Sequence, residues 1–143
     1  MSLTIIISSN IFAQSQQEVD PKQAIQMIKD FYIAYNTAWS ANVTPKVLDQ
    51  KLDELKMKYC AITLMIDLKG DIDHDVLIDD QYTDPQHLKT LTVVKNKTKA
   101  NAYIVSYIAP TTSPYNKPTE EKVVIYLTVM KGNRGIVIDS VDD

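Results

Sequence analysis

Val123-Val124-Ile125-Tyr126-Leu127-Thr128-Val129-Met130 and Ile136-Val137-Ile138-Asp139-Ser140-Val141 decide the fold of this chain. Both runs alternate apolar and polar positions in the way a half-buried antiparallel strand requires. Gly132-Asn133-Arg134-Gly135 between them predicts a tight turn, and so a hairpin. Upstream, Leu91-Thr92-Val93-Val94 and Tyr103-Ile104-Val105-Ser106-Tyr107-Ile108 repeat the pattern. The polar stretch Lys95 to Asn101, with Lys95, Lys97 and Lys99, is expected to be the turn joining them. Ala109 to Pro118, rich in proline, is expected to be a longer loop before the third strand. A sheet with one apolar face has to be covered, and the long helical patterns all lie upstream. The expected class is therefore α+β, two to three N-terminal helices packed on a four-stranded antiparallel sheet.

The helices announce themselves by their starts. Asp20-Pro21 offers a capping carboxylate followed by proline at the first helical position. Ile25, Ile28, Tyr32, Tyr35 and Trp39 then recur three and four apart as one apolar stripe, with Lys22, Gln26, Lys29 and Asn36 on the other side. Thr44-Pro45 repeats the start signal, and Leu48, Leu52, Leu55 and Tyr59 form the second stripe behind a lysine- and aspartate-rich outer face. Ala61 to Leu68, with Ile62, Met65 and Ile66, is expected to continue as a third segment after a bend near Cys60.

A chain of 143 residues fits one domain. Hydrophobic residues at 45% and charged residues at 23% exclude a disordered chain. A net charge of -3 exerts no attraction on phosphate, so neither nucleic acid nor an anionic membrane surface is an expected partner. Gly70, Gly132 and Gly135 are the 3 glycines, too few and too scattered for a phosphate-cradling loop or dinucleotide fingerprint. No cofactor is expected. Cys60 is the 1 cysteine, which excludes an internal disulfide and a thiolate metal cluster. It reads as a small buried hydrophobe at a helix end.

Leu3 to Phe12 is an apolar run interrupted by Ser8, Ser9 and Asn10, followed by Ala13-Gln14-Ser15. It has the form of a secretory signal peptide cleaved after Ala13, although a basic segment before it is missing; a buried N-terminal strand is the alternative. The run is too short and polar to span a bilayer. The expected organisation is thus a leader at 1–13, a flexible stretch at 14–19 and one domain at 20–143, in a periplasmic or secreted protein.

The most unusual composition follows Gly70. Asp71, Asp73, Asp75, Asp79, Asp80 and Asp84 crowd residues 71–84, where lysine and arginine are absent. Asp71-x-Asp73-x-Asp75 has the alternating oxygens of a calcium loop, but Val76 stands where that loop needs glycine and Tyr82 where it needs a bidentate glutamate. No metal site is expected. A solvated acidic loop is the better reading, and Asp71, Asp73, Asp75, Asp79 and Asp80 are the candidate docking surface for a basic protein partner. His74 and His87 flank the loop and are expected at the surface.

Helices first, then an antiparallel sheet closing in a hairpin, resembles the cone-shaped α+β fold of the nuclear-transport-factor-2-like, or cystatin-like, superfamily. Phe31-Tyr32-x-x-Tyr35, Lys58-Tyr59-Cys60, Asp79-Asp80-Gln81 and Ile136-Val137-Ile138-Asp139-Ser140-Val141 resemble more closely an exported bacterial family of unknown function, numbered 3828. That family's last strand usually carries a tryptophan, where Gly135 or Ile136 stands here. The resemblance implies a curved sheet and an exported location, and no activity. It also implies a pocket at the open end of the cone, lined by Tyr35, Trp39, Tyr103 and Tyr107, for a small apolar ligand or isomerase-type chemistry. Read from the residues alone, the same aromatics are core with hydroxyls reaching the rim. An isomerase needs an inward carboxylate, and Asp67 and Asp80 are the donors the pattern offers.

The reading that best joins these features is an exported, non-enzymatic binding domain, immunity-protein-like in using its acidic loop. The alternative is a small-molecule binder or enzyme using the cone. A homodimer through the outer sheet face, by Val124, Tyr126 and Met130 or by the alternate positions of the same strands, is a third expectation.

Overall fold

The computed structural model describes residues 17–69, 75–78, 85–112 and 118–142. In chain order these form helices α1 (Pro21–Trp39), α2 (Pro45–Tyr59) and α3 (Ile62–Leu68), then a 3-10 turn (Pro85–Lys89). Strands β1 (Thr92–Lys95), β2 (Ala102–Thr112), β3 (Pro118–Gly132) and β4 (Gly135–Asp142) follow. The expected α+β arrangement is the one observed: three helices on a four-stranded antiparallel sheet of order β1-β2-β3-β4. No described helix is long and apolar enough to cross a membrane.

The α1 start is built as its residues predict. Asp20 Oδ1 accepts hydrogen bonds from the backbone N–H groups of Lys22, at 2.8 Å, and Gln23, at 3.1 Å, satisfying two donors that the helix leaves over. Thr44 holds the extended conformation of a cap, but its side chain makes no capping bond. Ala24, Ile28, Phe31, Tyr32 and Tyr35 form the buried face of α1, while Ile25 and Trp39 flank it half-buried. Asn36, expected outside, is buried, because the α1 stripe is wider than the aromatic spacing alone suggests. In α2 Leu52 is buried, and Leu48, Leu55 and Tyr59 pack against the core at its margin.

Cys60 makes the bend between α2 and α3. Its extended backbone forms a single parallel bridge to Ile138, and the Ala61 N–H donates to the Ile138 carbonyl at 2.8 Å. The outer edge of β4 is thereby partly covered by the helix connection, which blunts an edge otherwise open to pairing. Cys60 is fully buried and free, as its reading required.

The inner sheet face presents Tyr103, Val105, Tyr107 and Ala109 from β2 and Val123, Ile125, Leu127 and Val129 from β3. Residues one position off face outward, so the register rows Val94↔Ile104 and Ile104↔Tyr126 lie on the outer face, where Val94 and Tyr126 are exposed. Strands β2 and β3 run further than expected, into the proline-rich segment, with Pro110↔Glu120 and Thr112↔Pro118 still paired. Proline is tolerated there because β1 ends its pairing at Ser106, leaving Pro110 on a free edge, and Pro118 opens its strand. The ladder between β3 and β4 shifts by one residue between Thr128 and Val129, so Thr128 faces Ser140 while Val129 faces Ile138. Asp139 is the extra residue of a bulge. At the turn, Gly135 takes φ +113, which a side chain would strain.

Of the stretch expected to be flexible at 14–19, residues 17–19 are described, and they make contacts with the domain. Val19 is buried, and its N–H donates to Asn101 Oδ1 at 2.9 Å. Asn101 Nδ2 donates to the Gln17 carbonyl at 3.2 Å, and Lys95 pairs with Glu18 at 3.1 Å. A polar stretch is held because Asn101, buried in the turn between β1 and β2, offers both a donor and an acceptor to the passing backbone. The signal-peptide reading of 1–13 lies outside the described residues.

Candidate functional site

Helix α1 places Tyr32, Tyr35 and Asn36 toward the sheet, one turn or less apart. The Tyr35 hydroxyl donates to Asp75 Oδ2 at 2.5 Å. Asp75 Oδ1 accepts from the Leu77 N–H at 3.0 Å, and the Asp75 carbonyl accepts from the Ile78 N–H at 3.0 Å, so the same carboxylate folds its own turn. Leu77 and Ile78 are buried in the core. From the sheet, the Tyr107 hydroxyl donates to the Ile78 carbonyl, and His87 stacks on the Tyr107 ring at 4.9 Å between centroids and 18° between planes. The segment Asp75–Ile78 is therefore fastened at both ends by tyrosine hydroxyls, one from a helix and one from a strand.

Burial pushes the Tyr35 phenol far above its ordinary range, and the Asp75 carboxylate beside it adds to the effect. The Tyr32 phenol is raised for the same first reason, with Tyr107 and Asp75 contributing; its oxygen is buried with no hydrogen-bond partner among the described residues. The Cys60 thiol is pushed up to about 12, first by burial, with Lys56 opposing and Asp75 adding. A phenol whose pKa is raised keeps its proton and serves as a donor, which is the role Tyr35 fills toward Asp75.

Between these groups lies a cavity of about 10 Å³, lined by Tyr32, Asn36, His87 and Tyr107 and closed by Ile78 and Leu91. That is close to the minimum space for a single water molecule.

Of the four expected pocket residues, Tyr35 and Tyr107 meet at the Asp75–Ile78 segment, and Tyr107 also lines the cavity. Trp39 sits half-buried at the end of α1; its indole N–H lies near enough to the Tyr35 oxygen to favour the phenolate slightly, without a hydrogen bond of ordinary geometry. Tyr103 is elsewhere, opposite Lys95 in the β1–β2 register. Its phenol is raised by burial, lowered by Lys95 and raised again by Asp20 and Glu18, which places it near the start of α1. Neither of the two cavities formed by the described residues is lined by all four aromatics.

Asp75 was expected on an outward docking surface and is instead turned inward. Leu77-Ile78 behind it must be buried, and two residues of turn carry the aspartate in with them. Val76-Leu77-Ile78, an apolar triplet inside an acidic stretch, was the signal. Asp75 is thus an inward-turned carboxylate, whereas Asp67, one of the two donors the pattern offers, is exposed on α3. His87 is buried rather than on the surface, because its ring covers Tyr107. Asp71, Asp73, Asp79, Asp80, His74 and Tyr82 lie outside the described residues. Among the described residues no group of three or more His, Cys, Asp or Glu side chains is arranged to hold a metal ion.

A second and larger concavity opens on the surface beside α3. It encloses about 290 Å³ between the Cys60–Thr63 segment and the β3–β4 hairpin, with Met130, Val137 and Arg134 among its walls.

No family model matches the chain, and no curated protein matches it. Among solved structures it is similar to the crystal structure of a protein of unknown function from Bacteroides thetaiotaomicron VPI-5482, with a TM-score of 0.72 and 28% sequence identity over 86% of this chain and 91% of that one.

Proposed function

We propose that this chain is an exported, non-enzymatic binding domain of the nuclear-transport-factor-2-like type, which recognises a basic protein through the aspartates flanking its anchored segment. The observation that supports this reading is the double fastening of Asp75–Ile78. Tyr35 and Tyr107, the hydroxyls best placed for chemistry, are both engaged in holding that segment, and Leu77 and Ile78 occupy the interior a ligand would need. The cavity beside these two tyrosines measures about 10 Å³, which favours this reading over the alternative of an isomerase or small-molecule binder at that point of the cone. Recognition then falls to the surface.

Asp71 and Asp73 precede the anchor in the chain, and Asp79 and Asp80 follow it. Fixing the middle of an acidic stretch reduces the ordering entropy lost when its flanks meet a partner. Asp75 is spent on Tyr35 and is not part of the proposed surface. Export is supported by the apolar run Leu3 to Phe12 and the Ala13-Gln14 junction.

The test uses the protein as bait against culture supernatant of its source, with wild type beside Asp73→Lys/Asp79→Lys. The expected result is one stoichiometric basic protein, retained by wild type, released by salt and lost by the variant at unchanged melting temperature. Retention by the charge-reversed variant overturns the reading.

A further inference from the structure

Tyr32 and Asn36 stand one turn apart on the inward face of α1, 3% and 5% exposed. The Tyr32 hydroxyl is enclosed and makes no hydrogen bond among the described residues. A hydroxyl taken out of bulk water without a partner is costly, and buried polar groups are almost always satisfied by protein or by an ordered water molecule. Both side chains line the cavity of about 10 Å³. An orphaned donor therefore borders an internal space.

Another wall of that space is Tyr107 of β2, whose hydroxyl gives its proton to the Ile78 carbonyl and keeps oxygen lone pairs for a second donor. The Tyr107 oxygen lies within electrostatic reach of the Tyr32 hydroxyl, since it contributes to raising the Tyr32 phenol. Asn36 brings an amide oxygen, also enclosed, with the capacity to accept two hydrogen bonds. The His87 ring, stacked on Tyr107, and the aliphatic side chains of Leu88 and Leu91 close the remaining sides. One donor and two acceptors thus share the lining of one small space.

The chemistry of the lining selects what it can hold. The volume matches the minimum for a single water molecule. No carboxylate, lysine or arginine lines the cavity, so an ion there would lose its hydration shell among leucines with no fixed opposing charge. An apolar occupant would leave the Tyr32 hydroxyl unsatisfied. Water fits on every count. Its oxygen accepts from Tyr32 and its two protons serve Asn36 and Tyr107, which makes the three hydrogen bonds usual for an internal water.

We infer that this cavity is a binding site for one internal water molecule, which accepts from the Tyr32 hydroxyl and donates to Asn36 Oδ1 and the Tyr107 hydroxyl oxygen. The water extends the fastening of Asp75–Ile78, because Tyr107, which holds the Ile78 carbonyl, is itself held to α1 through it. A run of hydrogen bonds then joins Tyr32, the water, Tyr107 and Ile78, each polarising the next. The site does not rest on the acidic-loop reading, since no aspartate lines it.

Oxygen-17 relaxation dispersion of water in a solution of the purified full chain tests the inference. It counts water molecules held longer than the protein takes to tumble, and it is blind to proton exchange at tyrosine hydroxyls. Wild type is expected to hold at least one such molecule. Asn36→Leu removes an acceptor and fills the space, and is expected to lower the count by about one at unchanged circular dichroism. A wild type with no long-lived water, or an unchanged count in the folded Asn36→Leu variant, overturns the inference. A crystal structure of the wild type gives a second readout that needs no variant to fold. An ordered water oxygen within about 3.2 Å of Tyr32 Oη, Asn36 Oδ1 and Tyr107 Oη is the expected result. A Tyr32 hydroxyl bonded directly to protein, with no water beside it, overturns the inference.

Discussion

The Tyr35 hydroxyl meets Asp75 Oδ2 at 2.5 Å across forty positions of the chain, and this contact ties one part-buried aspartate of an acidic stretch to the edge of the core. The carboxylate accepts from Tyr35 with one oxygen and from the Leu77 N–H with the other, so neither is left to desolvation alone. Tyr107 closes the other end on the Ile78 carbonyl. A segment that composition alone would send to solvent is held by two hydroxyls and two buried aliphatic side chains.

Removing the hydroxyl should expose the cost of that arrangement. Tyr35→Phe leaves one Asp75 oxygen part-buried without its donor, and a loss of about 1–3 kcal/mol is expected in urea unfolding. Asp75→Asn keeps an acceptor on the turn and should cost less than Asp75→Ala. The double variant Tyr35→Phe/Asp75→Asn should cost clearly less than the two single changes added together. Additive costs would mean that the two groups do not interact.

Leu77 has no exposed surface. Truncating it to alanine removes buried methyl groups and enlarges the space beside Tyr35 and Tyr107, for an expected loss of about 2–5 kcal/mol. Val76→Ala, one residue earlier and half-buried, should cost far less. Equal costs at the two positions, measured by denaturant midpoint, would show that the segment is not anchored as described.

Asn101 combines a left-handed backbone, φ 55, with two side-chain bonds to the Gln17–Val19 backbone. Asn101→Gly removes the bonds and relieves the backbone, whereas Asn101→Ala removes the bonds and keeps the strain. Alanine is therefore expected to be the less stable variant by about 1 kcal/mol. Both should lose amide-exchange protection at Val19. Retained protection there would mean that residues 17–19 are held by something other than Asn101.

The pH dependence follows from groups raised in the folded state. The Cys60 thiol moves from 9.0 up to about 12, and burial lifts the phenols of Tyr32 and Tyr35 above 10.0. Below pH ~9 both folded and unfolded chains keep these protons, and the stability they contribute is complete. As pH rises through the unfolded values, the unfolded chain releases protons that the folded chain retains, and stability falls. The melting temperature should drop steadily between pH ~9 and ~12, and Cys60→Ala should flatten the first part of that drop. Native Cys60 should also resist thiol reagents at pH ~8 until the chain is unfolded. A flat profile, or rapid native labelling, would contradict the burial of these groups.

Much of the architecture could be read from local pattern because local pattern is what produces it. Alternation in Val123–Met130 and Ile136–Val141 marks strands, the pair Asp20-Pro21 marks the start of α1, and Gly132 to Gly135 marks the turn. Strand ends were misplaced at Pro110 and Pro118, where proline's effect depends on whether a neighbouring strand is present. That is a property of the sheet, not of the residue. The candidate site was legible only in part: Tyr35 and Tyr107 were named, but the link that makes them a pair is Asp75, which reads as one more acidic loop residue until Leu77 and Ile78 are seen to be buried.

The sequence by itself determined the class of fold, the order of helices before sheet, the capping of α1 and the burial of Cys60, because each follows from periodicity or from chemistry within a few neighbouring residues. Only the tertiary structure decided that Asp75 points inward, that His87 is covered by Tyr107, that Tyr103 parts company with Tyr35, and that Gln17 to Val19 are pinned by Asn101. The placements of Asp75, His87 and Gln17 to Val19 depend on groups 20 or more residues away being brought within a few ångströms, as when Tyr107 reaches Ile78 over 29 positions and Asn101 reaches Val19 over 82. The burial of a polar side chain is favourable only when its partner arrives with it, and that arrival is a property of the packed chain.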